Sequence, residues 1–144
     1  MIIKPYIRKA QYYETDQMGI IHHSNYIRWF EEARVDFMEQ MGFGYNKAVE
    51  AGIDFAVLGV TCDYQTMVRF GDIVEIHMTV SSVTAVKMSV EYKIIDSVTK
   101  ELRTTGETRH CYYNNFKQRP VSLKKEIPEL YGLFCELCCG EANS

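Results

Sequence analysis

Between Ser24 and Met41 apolar side chains recur at intervals of three and four: Tyr26, Phe30, Ala33, Phe37 and Met41. That spacing gathers them on one face of an α-helix. Arg28, Glu31, Glu32, Asp36 and Glu39 occupy much of the remaining surface. Ser24 or Asn25 is suited to cap the orphan amides of the first turn, and Gly42 to stop the last. The pattern therefore predicts one amphipathic helix about 27 Å long at 1.5 Å per residue. A short helical turn is expected from Tyr45 to Ala51, ending at Gly52.

Beyond residue 52 the period changes to two. Leu58, Val60, Cys62, Tyr64, Thr66, Val68 and Phe70 point one way, and Thr61, Asp63, Gln65 and Arg69 the other. After a turn at Gly71-Asp72, Val74, Ile76, Met78 and Val80 alternate with Glu75, His77, Thr79 and Ser81. Met88, Val90, Tyr92 and Ile94 then alternate with Ser89, Glu91 and Lys93. Such alternation marks half-buried strands. Asp96 to Lys100 reads as a turn and Leu102 to Tyr113 as a further strand. Gly106 within it marks a bulge or a close approach of other backbone. Residues 2–13, rich in Ile and Tyr, predict a first strand. Short turns between successive strands require a mostly antiparallel sheet. One long helix packed on such a sheet is a two-layer α+β domain.

The 144-residue chain reads as one domain, 1–144, with a helical tail from about residue 126. A hydrophobic share of 47% and a charged share of 24% place it among ordinary globular proteins. No run approaches the roughly 20 apolar residues that span a bilayer. Lys4 and Arg8 interrupt the apolar stretch that a signal peptide needs, so a cytoplasmic location is expected. The net charge of −3 and the scattered Lys and Arg argue against a nucleic-acid partner. Three of the five cysteines, Cys135, Cys138 and Cys139, crowd the end of an amphipathic closing helix. Zinc would require two more ligands at matching spacing. Reduced thiols that pack or fray are expected there instead.

The segment Tyr12-Tyr-Glu-Thr-Asp16-Gln-Met-Gly19-Ile-Ile-His22-His23-Ser-Asn-Tyr26 concentrates the chemistry. It sets a carboxylate in a tight turn, with Gly19 for backbone freedom, immediately before the long helix. Free N–H groups and the positive end of the helix dipole face whatever lies there. Donors of that kind suit the oxyanion formed when a thioester carbonyl is attacked. Asp16 then serves as nucleophile, through a mixed anhydride, or as the base that activates water. On the residues alone, a turn or capping role is the commoner one for an aspartate in such a place.

The run Tyr13-Glu-Thr-Asp16-x-x-Gly19-Ile-Ile-x-His23-x-x-Tyr26, continuing as Arg28-Trp-Phe-Glu-Glu-Ala-Arg34, resembles the signature of the 4-hydroxybenzoyl-CoA thioesterase-like hot-dog family. The similarity extends more loosely to about residue 125, through Phe70-Gly-Asp72 and Arg119-Pro120. The resemblance implies a curved antiparallel sheet around one long helix, and an acyl-CoA thioesterase working without metal or organic cofactor. It makes Asp16 catalytic and assigns the backbone N–H of His23 to polarising the thioester carbonyl. The His23 side chain assists Asp16 or positions substrate, or its amide alone matters. Tyr13, Gly19, Tyr26 and Trp29 are expected on the substrate side, although core packing suits Tyr26 and Trp29 as well. Some relatives carry an extra acidic residue before the threonine, so which of Tyr12 and Tyr13 faces the site stays open. Lys87 and Arg119 are candidates for the CoA phosphates. His22 adjoins His23, but a metal would lack further ligands. His77 and His110 read as plain strand residues. The family also implies homodimers or homotetramers with active sites between subunits. The alternative reading is a non-catalytic acyl-CoA binding or sensing module.

Overall fold

The structure, a computed structural model, describes residues 2–138. Strand β1 (Tyr6–Lys9) leads through a single 3-10 turn (Tyr12–Glu14) to helix α1 (Ser24–Gln40) and helix α2 (Tyr45–Ala51). Four long strands follow: β2 (Ile53–Tyr64), β3 (Ile73–Val83), β4 (Lys87–Asp96) and β5 (Leu102–Asn114). A two-residue strand β6 (Arg119–Pro120) and helices α3 (Leu123–Glu126) and α4 (Pro128–Leu137) complete the described chain. The antiparallel sheet has the order β1-β3-β4-β5-β2, with β6 hydrogen-bonded to β5. It is the curled sheet and long helix of the hot-dog fold.

Helix α1 matches the periodic stripe to within a residue. Its Tyr26, Trp29, Phe30, Ala33 and Phe37 are buried with Val74, Ile76, Val80, Val90, Tyr92 and Ile94 of the sheet. The Phe30 ring stacks on Tyr92 at 4.2 Å between centroids. A Cβ at Gly106 would stand 2.5 Å from the Phe30 ring, so this glycine admits a helix side chain to the sheet. Gly42 stops α1 with a φ of +81°, where only glycine avoids the Cβ penalty. The expected cap is different, however. His23 occupies the N-cap position without a side-chain cap bond, and Asn25 turns its amide back to the Glu14 carbonyl.

Two strand boundaries also differ from expectation. The first strand shrinks from 2–13 to the four residues that pair with β3. Glu14 then closes the 3-10 turn reciprocally with Gln11. The alternation expected from Leu58 to Phe70 ends at Tyr64, and residues 65–72 cross between β2 and β3, which are not neighbours in the sheet. Strand β2 is an edge, paired to β5 alone, with a register shift between Val57 and Gly59. Val57, Leu58 and Val60 are consequently exposed while Val68 in the crossing loop is fully buried. Cys135 is exposed and, like Cys138, carries a free thiol. Cys139 lies outside the described residues.

Candidate active site

The loop between the 3-10 turn and α1 is held at both ends. Thr15 bridges to Ile21, and Ile20 to Arg69 of the crossing loop. Within it the Asp16 N–H donates to Ile20 O at 2.9 Å and the Gly19 N–H to Asp16 O at 3.0 Å. Gly19 takes a φ of +77°, which explains a glycine at the tip of so tight a reversal. The Met18 N–H donates to Asp16 Oδ1 at 2.8 Å. That bond fixes the half-buried carboxylate and leaves Oδ2 available.

The amides at the mouth of α1 are informative, because buried N–H groups are nearly always paired. His22 N–H donates to Glu14 O, Asn25 N–H to His22 O and Tyr26 N–H to His23 O. Ser24 N–H donates to His22 Nδ1 at 3.2 Å. His22 therefore caps the first turn through its ring. The N–H of His23 is the one amide from 22 to 26 without an acceptor among the described residues. It stands at the positive end of a 17-residue helix.

Asp16, His23 and Tyr26 share a cleft of about 230 Å3 with Tyr64, Gln65 and Met67. Tyr64 is a residue the sequence reading did not single out. Its hydroxyl donates to His23 O at 3.2 Å, and its ring meets that of Tyr26 edge-on at 5.1 Å. Burial, and then the neighbouring Cys62, push the Tyr64 phenol above its ordinary range, so it remains a neutral donor. The His23 ring is exposed and stacks on His22 at 4.2 Å. Among the described residues no group of three or more His, Cys, Asp or Glu is arranged to hold a metal ion.

Tyr13, Trp29, Lys87 and Arg119 do not line this cleft within one chain. Tyr13 is 79% exposed, pointing away from the protomer's core. Trp29 is fully buried and donates its indole N–H to Glu14 at 2.9 Å, so it supports the loop rather than lining the cleft. Lys87 pairs in register with Cys111 and Arg119 with Asn114, whereas the cleft lies where Tyr64 pairs with Thr104. Those positions are seven and ten residues along β5, or roughly 23 and 33 Å at the rise of a strand. Within one chain neither cation borders Asp16.

The opposite end of the α1–β2 seam carries a second groove, lined by Arg34, Val35, Met38, Phe43, Asp54 and Phe55, of about 160 Å3. Beneath it runs a buried polar chain. Arg34 Nη1 donates to the Tyr92 hydroxyl at 3.0 Å, which lies 2.6 Å from Thr108 Oγ1. Thr108 Oγ1 is 2.7 Å from His110 Nε2, and His110 Nδ1 is 3.4 Å from Phe55 O. The carbonyl can only accept, so Nδ1 carries the proton and every hydroxyl in the chain donates toward His110. Burial first, and then Arg34, lower the His110 pKa to about 4.

A curled antiparallel sheet around one long helix is the architecture of the hot-dog thioesterases. Residues 11–130 match the thioesterase-like superfamily, and the chain belongs to it. It is similar to the acyl-CoA thioester hydrolase YbgC of Escherichia coli O6:H1, with 23% identity over 83% of this chain and 88% of that one. The solved DHNA-CoA thioesterase of Staphylococcus aureus is 27% identical, covering 96% of this chain and 93% of that one with a TM-score of 0.89. A solved protein of Aquifex aeolicus is 33% identical over 88% of this chain and 98% of that one, with a TM-score of 0.81. No helix among the described residues is long and apolar enough to cross a membrane.

Proposed function

We propose that the chain hydrolyses an acyl-CoA to a carboxylic acid and free CoA, with Asp16 as the catalytic carboxylate. One observation carries this reading: Asp16 and His23, whose N–H has no acceptor among the described residues, line the same cleft. The thioester oxygen accepts from the His23 N–H, which stabilises the charge that develops on attack. Asp16 then adds to the carbonyl carbon and expels CoA thiolate, leaving an anhydride that water opens, or it takes a proton from the attacking water. Either sequence consumes one water and yields one acid and one thiol. No metal or organic cofactor enters this scheme. The motif surrounding Asp16 supports a kinship with the 4-hydroxybenzoyl-CoA thioesterase-like branch, and CoA chemistry supports a cytoplasmic setting.

The reading includes a homodimer, with homotetramers as pairs of such dimers. A second copy laid antiparallel along the exposed edge of β2 would cover Val57, Leu58 and Val60 and pair the free strand edge. The two-fold relation sets the far end of one protomer beside the cleft of the other. Lys87 and Arg119 of the second copy then lie three strand spacings away, roughly 14 Å, within reach of CoA phosphates. It also brings the Arg34–Met38 groove of that copy toward the thioester as an acyl pocket.

The test is thiol release from short-chain, long-chain and hydroxyaryl CoA thioesters by wild type and Asp16→Asn. Loss of one catalytic carboxylate is expected to lower kcat by about 10²- to 10⁴-fold with the fold retained. Ligand-dependent melting shifts without any thiol release would instead establish a binding module.

A further inference from the structure

Asp16 and the His23 amide both hang on a residue two positions upstream of the aspartate. The Glu14 side chain is 4% exposed, and four donors converge on its two oxygens. Arg8 Nη1 donates to Oε1 at 3.0 Å and Arg8 Nη2 to Oε2 at 2.8 Å. The backbone N–H of Gln11 reaches Oε1 at 2.9 Å, and the Trp29 indole reaches Oε2 at 2.9 Å. One carboxylate thus joins β1, the 3-10 turn and the second turn of α1. Arg8 is itself fixed from the other side, its Nε donating to Glu32 of α1 at 2.8 Å and its guanidinium standing 5.5 Å from the Trp29 ring centre.

The main chain of Glu14 completes the arrangement. Its carbonyl accepts the His22 N–H at 2.8 Å and the Asn25 side-chain amide at 3.0 Å. These bonds occupy the donors on both sides of His23 and set the direction in which its own N–H points. Charge-assisted, bidentate bonds of this kind are the strong and directional ones. A buried carboxylate so fully satisfied has no capacity left for substrate.

We infer that Glu14 is a positioning residue for thioester hydrolysis: clamped by Arg8 and Trp29, it holds the Asp16 carboxylate and the His23 amide in mutual register. The inference rests on the hydrolase reading above. It differs from a purely structural role because it places the effect on the chemical step. Misplacing a reacting group by about 1 Å costs on the order of 100-fold in rate.

The decisive experiment compares Glu14→Gln with wild type in steady-state hydrolysis and in amide hydrogen exchange. The substitution keeps the volume and one acceptor but meets the Arg8 fork with an NH₂ group. The expected result is a kcat lower by roughly 10- to 100-fold, KM within about twofold, and faster exchange of the His22 amide below the melting transition. Glu75→Gln, which removes the Lys100 ion pair at 2.7 Å on β3, away from the residues that line the cleft, controls for loss of an ion pair as such and should leave kcat unchanged. Should Glu14→Gln fail to fold, Arg8→Lys keeps the charge but loses the fork, and Trp29→Phe deletes the indole donor while keeping an aromatic ring, with some loss of buried volume. Each is expected to lower kcat in the same direction by less. A kcat within about twofold of wild type in all variants that fold, or a loss mirrored by Glu75→Gln, overturns the inference while dependence on Asp16 still stands. If Asp16→Asn hydrolyses as fast as wild type, the reaction reading fails first and the inference falls with it.

Discussion

The two ends of α1 are built on different principles. At its N-terminus the geometry is set by directional bonds: the Arg8–Glu14–Trp29 clamp, the Asp16 turn and the paired amides that leave His23 free. At its C-terminus the groove between Met38, Phe43 and Phe55 is shaped by apolar side chains, with Met78, Met88 and Phe134 below it. Methionine has several rotatable bonds and fills irregular space. The mouth of the helix is therefore held by directional bonds where the proposed reaction takes place. The far end is built of adaptable side chains, as suits the proposed acyl pocket.

After the loss expected for Asp16→Asn, the largest effect comes from removing the backbone donor at the mouth of the helix. His23 has a φ of −56°, close to the value a proline ring imposes, and its N–H has no acceptor to lose. His23→Pro is expected to lower kcat by about 10²- to 10³-fold, the loss seen for one oxyanion donor. His23→Ala, which keeps the amide, should cost much less. Equal losses in the two kinetic assays would transfer the role to the imidazole.

The next effect is read in stability against pH and concerns the far end. His110 is neutral when folded, with a pKa near 4, and protonates near 6.5 when unfolded. Between those values the unfolded chain binds the extra proton, so stability falls as pH drops from about 6.5 to 4. The window corresponds to roughly 3 kcal/mol if nothing else titrates. Glu75 and Asp96, each held down near 2 by hydrogen bonds, lose their contribution at lower pH still. Chemical denaturation of wild type and His110→Gln at pH 7, 5.5 and 4.5 separates these steps. An unchanged slope in the variant would remove His110 as their cause.

The smallest effect sharpens the contrast. Met38→Ala is expected to cost about 1–2 kcal/mol, less than a fully buried methionine. It should shift KM among acyl-CoAs of different bulk while kcat on the smallest changes little. A uniform fall in kcat across the panel would mean that the two ends of α1 are not separable.

Some of this was legible in the residues and some was not. The spacing from Tyr26 to Phe37 fixes α1, because a buried stripe at helical period has one solution. The alternation from Val74 to Ile94 fixes β3 and β4 for the same reason. Strand β2 misleads because it is an edge whose apolar positions do not report the core. Tyr64 at the end of β2 and Gln65 at the start of the crossing loop join the site by a long-range event without a local signal. Glu14 lies inside the recognised motif, but its burial depends on Arg8 and Trp29 meeting across two elements. Lys87 and Arg119 were placed by chemistry, and strand register carries them to the other end of the sheet.

The irregularity between Val57 and Gly59 sits near the midpoint of β2, where the Arg109 guanidinium occupies the space a side chain at position 59 would need. A copy of the chain aligned along this edge meets the same dislocation in its own strand. In the homodimer proposed above, nesting one kink against the other would keep the ladder continuous, whereas sliding by a residue pair would set straight chain against bent. The defect would then act as a notch that keys the mating of two identical edges and disfavours slipped or open-ended assemblies.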